Sequence, residues 1–421
     1  MLIDIPSGRG RQTLEIDEGR LRACLVPAHA PAEKDEAAII GDALMHPVAS
    51  PRLKDIAAGK RKITLITSDH TRPLPSALTL PPYIAEIRKG SPSAEITVLV
   101  ATGLHRKPTP DEMKAKFGDL LSSGLRFVIH DADDEANLAY LGLLPSGGEL
   151  WLNRLVTEAD LVISEGFVEP HFFAGFSGGR KSVLPGVAGR KTVLYNHNAG
   201  FIASDMARQG VLRGNPIHID MEYAAGKAGL RFILNVLLDI DKRVIAAYAG
   251  DPVKAHAKAA EKCLEATRVP AVPADIVVTS NGGYPLDQNI YQCVKGLTAA
   301  ERCVREGGVI IMCASLGDGS GGDAFYHWFK DRKDARQVLD DIAGIPAGDT
   351  RPDQWQAQIL ARVMLKARCI FVSDEANRQT LNDMHLGWAP DVNAALNEAY
   401  GIAGRGASVT VIPDGVGVIV Q

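Results

Sequence analysis

The chain has 421 residues, comfortable for two domains, and its 46% hydrophobic and 23% charged content is that of an ordinary globular protein. A net charge of −4 leaves no basic surplus for nucleic acid, and no apolar run reaches the ~18 residues that a membrane span requires. Six cysteines are scattered without a C-x-x-C pair, which argues against a zinc ribbon or redox motif and for buried, reduced thiols.

The opening, MLIDIPSGRGRQTLEI, has no charged-then-apolar leader and reads as a strand pattern, so a cytoplasmic location is expected. Short runs rich in β-branched residues then alternate with helical patterns. KITLITSD (62–69), EITVLVATG (95–103), LRFVIHD (125–131), ADLVISEG (159–166), RFILNVLLD (231–239) and RVIAAYAGD (243–251) predict strands. Residues 75–89 and 111–122 predict helices, the second opening with TPDE, a good first turn. LEATRVPAVPADIVV (264–278), with its two prolines among small residues, marks a domain boundary. Beyond it, DIVVTSNGG (275–283), GGVIIMCAS (307–315), RCIFVSD (368–374) and SVTVIPDG (408–415) repeat the pattern. The expected fold is α/β: domains 1–265 and 266–421 with mainly parallel, doubly wound sheets and an active-site cleft between them.

In such sheets ligands bind beyond the carboxyl ends of the strands, and the polar clusters fall there. SDHTRPLP brings Asp69, His70, Thr71 and Arg72; TGLHRKPT brings His105, Arg106 and Lys107. EGFVEPHFFAGFSGGRK contributes Glu165, His171 and Lys181, VLYNHN contributes His197, and NGGYPLDQNIYQCVKG contributes Gln288, Gln292 and Lys295. Each alone is weak: a lone histidine after a strand is more often a capping or surface residue, and a glycine-rich turn usually only needs positive φ. His70 and His130 are accordingly expected at the surface or in the core, and YHWF (326–329) as a packed amphipathic segment. Together, His105, His171, His197, Arg72, Lys181 and Lys295 share one predicted rim.

The spacings exclude the commoner chemistries. EPHFFAGFSGGRKSVLPGV (169–187) looks like a phosphate loop, but three residues rather than four separate Gly175 from Gly179, and Arg180 precedes Lys181. There is no H-E-x-x-H, GFSGG is misspaced for a G-x-S-x-G elbow, and no G-x-G-x-x-G follows the first strand. The histidines read as proton-transfer groups, Arg72 and Lys295 as carboxylate binders, and Lys181 as a charge or an attachment point.

SDHTRP, TGLHR, EGFVEPHFFAGFSGGRKSVLPG, NHN and GGYPLDQNIYQCVKG, in this order along nearly the whole chain, resemble the nickel-pincer-nucleotide-dependent lactate racemase family. The resemblance implies an isomerase that inverts C2 of a 2-hydroxy acid: the C2 hydrogen leaves as hydride to the cofactor while a base takes the hydroxyl proton. By the same resemblance Lys181 covalently carries the cofactor, a pyridinium-3-thioamide-5-thiocarboxylic acid mononucleotide with nickel, and His197 completes the nickel coordination. His105 and His171 become the bases on opposite faces of the substrate, Asp69 and Arg72 match a D-x-x-R segment, with Asp69 expected among the cofactor contacts, and Arg72 takes the substrate carboxylate. Gln292 and Lys295 complete substrate and cofactor contacts from the second domain, and Trp355 lies where the family has an aromatic near the site. The loop glycines are expected to let the cofactor lie against backbone, with N–H groups of Ser177, Gly178 and Gly179 receiving its phosphate. The implied partners are a small 2-hydroxy acid and, transiently, the enzymes that build the cofactor. Lactate, malate, phenyllactate or a sugar acid all remain open as substrates; Arg106 and Lys107 would favour a second carboxylate. A non-catalytic binder of the same fold and a nucleotide-dependent transferase are the alternative readings.

Overall fold

In the run Lys62–Ser68 the five middle residues are all buried, as a strand covered on both faces requires. The computed structural model describes residues 1–27, 35–239 and 241–421. Its contacts divide the chain into two compact units: a terminal unit of Met1–Ala28, His197–Ala203 and Ala266–Gln421, and a central unit of His29–Asn196 and Ser204–Glu265. The chain thus crosses at 265/266, within the Pro-rich stretch read as a boundary, but the segments at 1–28 and 197–203 cluster with the C-terminal residues. The reason is pairing over long sequence distance. Leu21–Cys24 runs parallel to Val409–Ile412, and Ala199 O accepts a hydrogen bond of 2.8 Å from Gln358 Nε2.

The central unit is built on a six-stranded sheet in the order Val244–Gly250, Leu230–Leu238, Leu161–Phe167, Lys62–Ser68, Glu95–Ala101, Arg126–Ile129. All neighbours are parallel except the first pair, which is antiparallel. Ile63, Leu65, Leu161, Ile163, Phe232 and Leu234 pack with Tyr83 and Ile87 of the helix Ser76–Gly90 into one core. Fully burying each such side chain contributes about 1.5–3 kcal/mol. The helix expected over 111–122 ends at Phe117, because Gly118 takes φ 52°, and continues only as a 3₁₀ turn to Ser122. Its start is the capping box Thr109/Glu112.

The terminal unit carries a parallel six-stranded sheet in the order Gly387–Ala389, Ala367–Val372, Val304–Cys313, Ala274–Ser280, Val409–Ile412, Leu21–Cys24. The opening residues form the antiparallel hairpin Leu2–Ser7/Gly10–Glu15. YHWF lies in the helix Asp323–Lys330 with Phe325, Trp328 and Phe329 buried, and His130 is a core residue bonded to Ala188 O. Five of the six cysteines are buried; Cys24, on the edge strand, is exposed. Among the described residues no helix is long and apolar enough to cross a membrane.

In each sheet the connections leave one strand in opposite directions: Lys62–Ser68 in the central unit and Ala274–Ser280 in the terminal unit. The carboxyl end of such a strand is where an open α/β sheet leaves a crevice.

Candidate active site

Beyond Ser68, at the switch point of the central sheet, the chain turns through Asp69, whose side chain is buried. Thr71 donates to Asp69 Oδ1 from both its N–H (3.1 Å) and its hydroxyl (2.6 Å), which fixes the carboxylate. The other oxygen, Oδ2, accepts from His105 Nδ1 at 2.8 Å, across from the end of the neighbouring strand Glu95–Ala101. Burial alone would push the Asp69 carboxyl up. The hydrogen bond and charge of His105, the Thr71 hydroxyl and the Arg72 guanidinium outweigh it and hold the group below its usual range. With its proton on Nδ1, neutral His105 keeps a lone pair on Nε2 and can act as a base, and the carboxylate stabilises the imidazolium that results. Arg72 is partly exposed, and among the described residues no hydrogen bond or ion pair engages its guanidinium.

The third neighbouring strand, Leu161–Phe167, leads into the loop that carries His171 and Lys181. Pro170–His171 pairs with Gly175–Phe176 as a tight hairpin, and the Ala174 N–H donates to His171 Nδ1 at 3.2 Å. Neutral His171 therefore carries its proton on Nε2, the tautomer opposite to that of His105. The Phe173 ring lies beside both side chains singled out in the sequence: His171 meets it edge-on at 4.6 Å, and Lys181 Nζ lies 5.9 Å from its centroid.

The rest of the loop is bonded inward. Ser177 Oγ donates to Phe167 O and accepts from Glu169 N, both at 2.9 Å, while Ser177 N–H donates to Glu169 O. The Gly179 N–H donates to Asn235 Oδ1 at 2.9 Å. The N–H groups of Ser177 and Gly179, expected to receive a phosphate, thus already have partners within the protein. The glycines also differ from expectation in what they face. Gly178 has φ 75°, and a Cβ there would stand 2.7 Å from Asn235 Oδ1 and 2.9 Å from Phe167 O. Glycine is needed at that position for the loop to close on its own protein.

Arg180 and Lys181, adjacent in sequence, part company. Arg180 is buried and donates to Ala174 O (2.7 Å) and Gly178 O (3.3 Å), and burial pulls its guanidinium down to about 9. His256 Nε2 lies 2.9 Å from Arg180 Nη1 and 2.8 Å from Ser177 O, so it serves one of the two at a time. Burial first, and then the Arg180 cation, hold His256 neutral. Lys181 remains half-buried.

In the terminal unit, His197 is buried with its ring edge-on to Trp355 at 5.1 Å. The helix Gln354–Lys366 supplies that tryptophan and also Gln358, whose amide holds Ala199 O. Gln292 and Lys295 lie on the helix Ile290–Glu301, which follows the switch-point strand Ala274–Ser280 and is capped by Asn289. Gln292 Oε1 is buried with no hydrogen-bond partner among the described residues, which suits an acceptor awaiting a donor from a ligand. Sequence reasoning missed Arg180 and His256, since an Arg-Lys pair and a lone helix histidine look solvated. It left Trp355 open.

The basic pair after His105 is already engaged. Arg106 makes a two-pronged contact with Glu112 (2.8 and 2.6 Å), and Lys107 lies 2.8 Å from Asp131. Neither is arranged to take a second substrate carboxylate. If the chain turns over 2-hydroxy acids as the resemblance implies, Arg106→Ala is expected to change the ratio of lactate to malate turnover by no more than about twofold, as befits an exposed pair. A larger shift in the ratio of the two kcat/KM values would return Arg106 to the pocket.

Residues 7–210 match the lactate racemase N-terminal domain, and residues 269–420 match the lactate racemase C-terminal domain. The chain belongs to the lactate racemase family. Within this family of isomerases it is 49% identical to the lactate racemase of Thermoanaerobacterium thermosaccharolyticum and 46% identical to that of Lactiplantibacillus plantarum, in each case over all of this chain and 99% of the other. Its fold matches the lactate racemase apoprotein from T. thermosaccharolyticum with a TM-score of 0.97 over the whole of both chains, at 49% identity. A crystal structure of a Thermotoga maritima protein, 19% identical and covering 92% of this chain and all of its own, matches with a TM-score of 0.68 and shares the fold alone. The two-domain, mainly parallel α/β architecture expected from the sequence is that of lactate racemases.

Proposed function

We propose that the chain is a lactate racemase that works through a nickel-pincer nucleotide tethered at Lys181. The observation that carries this reading is the Asp69–His105 contact of 2.8 Å at the switch-point strand, which supplies a base with a built-in counter-charge. The residues present suit the cofactor. Lys181 is a half-buried amine beside the Phe173 ring, on a loop that hydrogen bonds of Ser177, Gly179 and Arg180 tie to the protein. In this reading a nickel ion would take its other donors from the tethered group, soft sulfur with an imidazole being a sensible set for that metal. His197, its ring set by Trp355, is the protein donor in this reading.

When bound, the cofactor supplies the hydride acceptor for the C2 hydrogen. The chain's own residues do the rest. Arg72 binds the lactate carboxylate through its guanidinium fork. His105 Nε2 takes the hydroxyl proton from one enantiomer, and Asp69 holds the imidazolium. His171, on the other face, returns a proton to the oxygen when the C–H bond re-forms, and the two rings then re-equilibrate with solvent. Gln292 Oε1, buried and without a partner among the described residues, would accept from a donor group of the cofactor. Lactate is favoured over a dicarboxylate because Arg106 and Lys107 are paired with Glu112 and Asp131.

The test is to co-produce the protein with the cofactor-building enzymes, weigh the denatured chain beside a Lys181→Ala control, and follow L-lactate by chiral detection. An adduct on the parent protein and none on the control, with racemisation only in the former, is expected. A parent chain with neither, under conditions where the T. thermosaccharolyticum relative gives both, rules the reading out.

A further inference from the structure

The helix Pro110–Phe117 sends one side chain back toward the site. Lys116 Nζ donates to Arg72 O at 3.3 Å and to Leu74 O at 3.2 Å, spanning the turn that follows Asp69. The ammonium is mostly buried, and its hydrogen-bond partners are two backbone carbonyls; no carboxylate lies within ion-pair distance among the described residues. The charged groups around it are Glu165 from the strand Leu161–Phe167 and Asp69 and Arg72 from the turn itself; Glu112, on its own helix, is engaged by Arg106. Glu165 is itself buried and satisfied by the hydroxyls of Thr67 and Ser76 at 2.5 and 2.7 Å and by that of Thr79.

For stability alone this is a poor arrangement. A buried ammonium facing neutral acceptors loses its hydration, and an apolar chain of the same length would cost less. What the arrangement achieves is mechanical: carbonyls at positions 72 and 74 are held from one point, so the backbone that aims the Arg72 side chain is fixed. We propose that Lys116 is a positioning residue that clamps the 72–74 turn and so orients Arg72 toward the substrate carboxylate. The proposal rests on Arg72 binding that carboxylate.

Burial, only partly offset by Glu165 and Asp69, brings the Lys116 ammonium down to about 8. The clamp therefore weakens as pH rises through that value. Stability moves the other way: an unfolded lysine titrates near ~10.4, so between about pH 8 and that value the unfolded chain binds more protons and stability rises with pH.

The experiment compares loaded Lys116→Met, Lys116→Arg and Arg72→Lys enzymes with the parent, together with thermal unfolding of the unloaded proteins. For Lys116→Met, KM for lactate rises about tenfold while kcat changes less than about threefold, the split expected when substrate binding is lost. Its unfolding temperature at pH 7 is equal or higher. The parent's KM climbs above pH 8, and this climb is absent in Lys116→Met and displaced to higher pH in Lys116→Arg, whose charge persists. A Lys116→Met enzyme with the parent's KM and alkaline limb, beside an Arg72→Lys enzyme with raised KM, overturns the clamp alone. An unchanged KM in Arg72→Lys overturns the carboxylate assignment and the clamp with it. Should Lys116→Met fail to fold, the Lys116→Arg profile decides: an alkaline limb unmoved from the parent's refutes the proposal.

Discussion

An Asp69→Asn enzyme is expected to lose about 10²–10⁴-fold in kcat/KM for lactate, the range spanned by general-base catalysis and by removal of a histidine's carboxylate partner. The contact at stake is the 2.8 Å one from His105 Nδ1 to Asp69 Oδ2. Asparagine keeps the shape but not the charge, and its amide nitrogen can turn toward Nδ1 and force the proton onto Nε2, where the base must be free. Because racemisation has an equilibrium constant of one, the loss must be the same starting from L- or D-lactate. Initial rates in both directions, on protein whose denatured mass confirms loading, make the comparison. A loss below about tenfold would remove His105 from the role of base. The substitution also alters the acid side of the stability curve. The Asp69 carboxyl is held below its unfolded value, so its contribution is present above the unfolded pKa of ~3.9 and lost as pH falls through the lower folded value. Asp69→Asn flattens that acid-side decline.

The second large effect concerns the loop itself. Gly178→Ala is expected to destabilise the unloaded protein by about 2–5 kcal/mol, combining strain at positive φ with overpacking. The added Cβ would meet Asn235 Oδ1 at 2.7 Å, Phe167 O at 2.9 Å and Val168 Cγ2 at 2.9 Å, and only the first and last can give way. Urea unfolding of unloaded protein distinguishes two uses of this glycine. If it serves closure of the loop on its own unit, stability falls before any cofactor is present. If it makes room for a cofactor, as the sequence suggests, the unloaded protein keeps its stability and only the Lys181 adduct is lost.

Much of the central sheet could be read directly, because strands buried on both faces advertise themselves as continuous apolar runs. KITLITSD and ADLVISEG became Lys62–Ser68 and Leu161–Phe167 with boundaries shifted by a residue or two. The polar clusters at their carboxyl ends followed from that placement. What sequence periodicity cannot see is pairing over distance. Leu21–Cys24 is a short edge strand alternating between partly buried and exposed residues, and only its neighbour Val409–Ile412 makes it part of a sheet. The hairpin Leu138–Leu143/Glu149–Asn153 escaped notice for a similar reason, being weakly buried on one strand. At the site, the residue types in the motifs were legible but their partners were not. Nothing local distinguishes inward-facing Arg180 from half-exposed Lys181, and nothing local tells that Thr71 and Asp69 would share the task of fixing His105.

The interleaving of the two units bears on how the chain comes off the ribosome. Leu21–Cys24 is synthesised long before Val409–Ile412, the strand it pairs with. Likewise the 197–203 segment emerges long before Trp355 and Gln358, which pack its histidine and hold its backbone. A nascent chain halted before residue 409 holds the other four strands of the terminal sheet but lacks the one that pairs with Leu21–Cys24, whatever its central unit has achieved. Assembly of the terminal unit therefore waits until Val409–Ile412 has been made, and a single cut at the 265/266 crossing leaves the central unit whole in one fragment while dividing the terminal unit between the two.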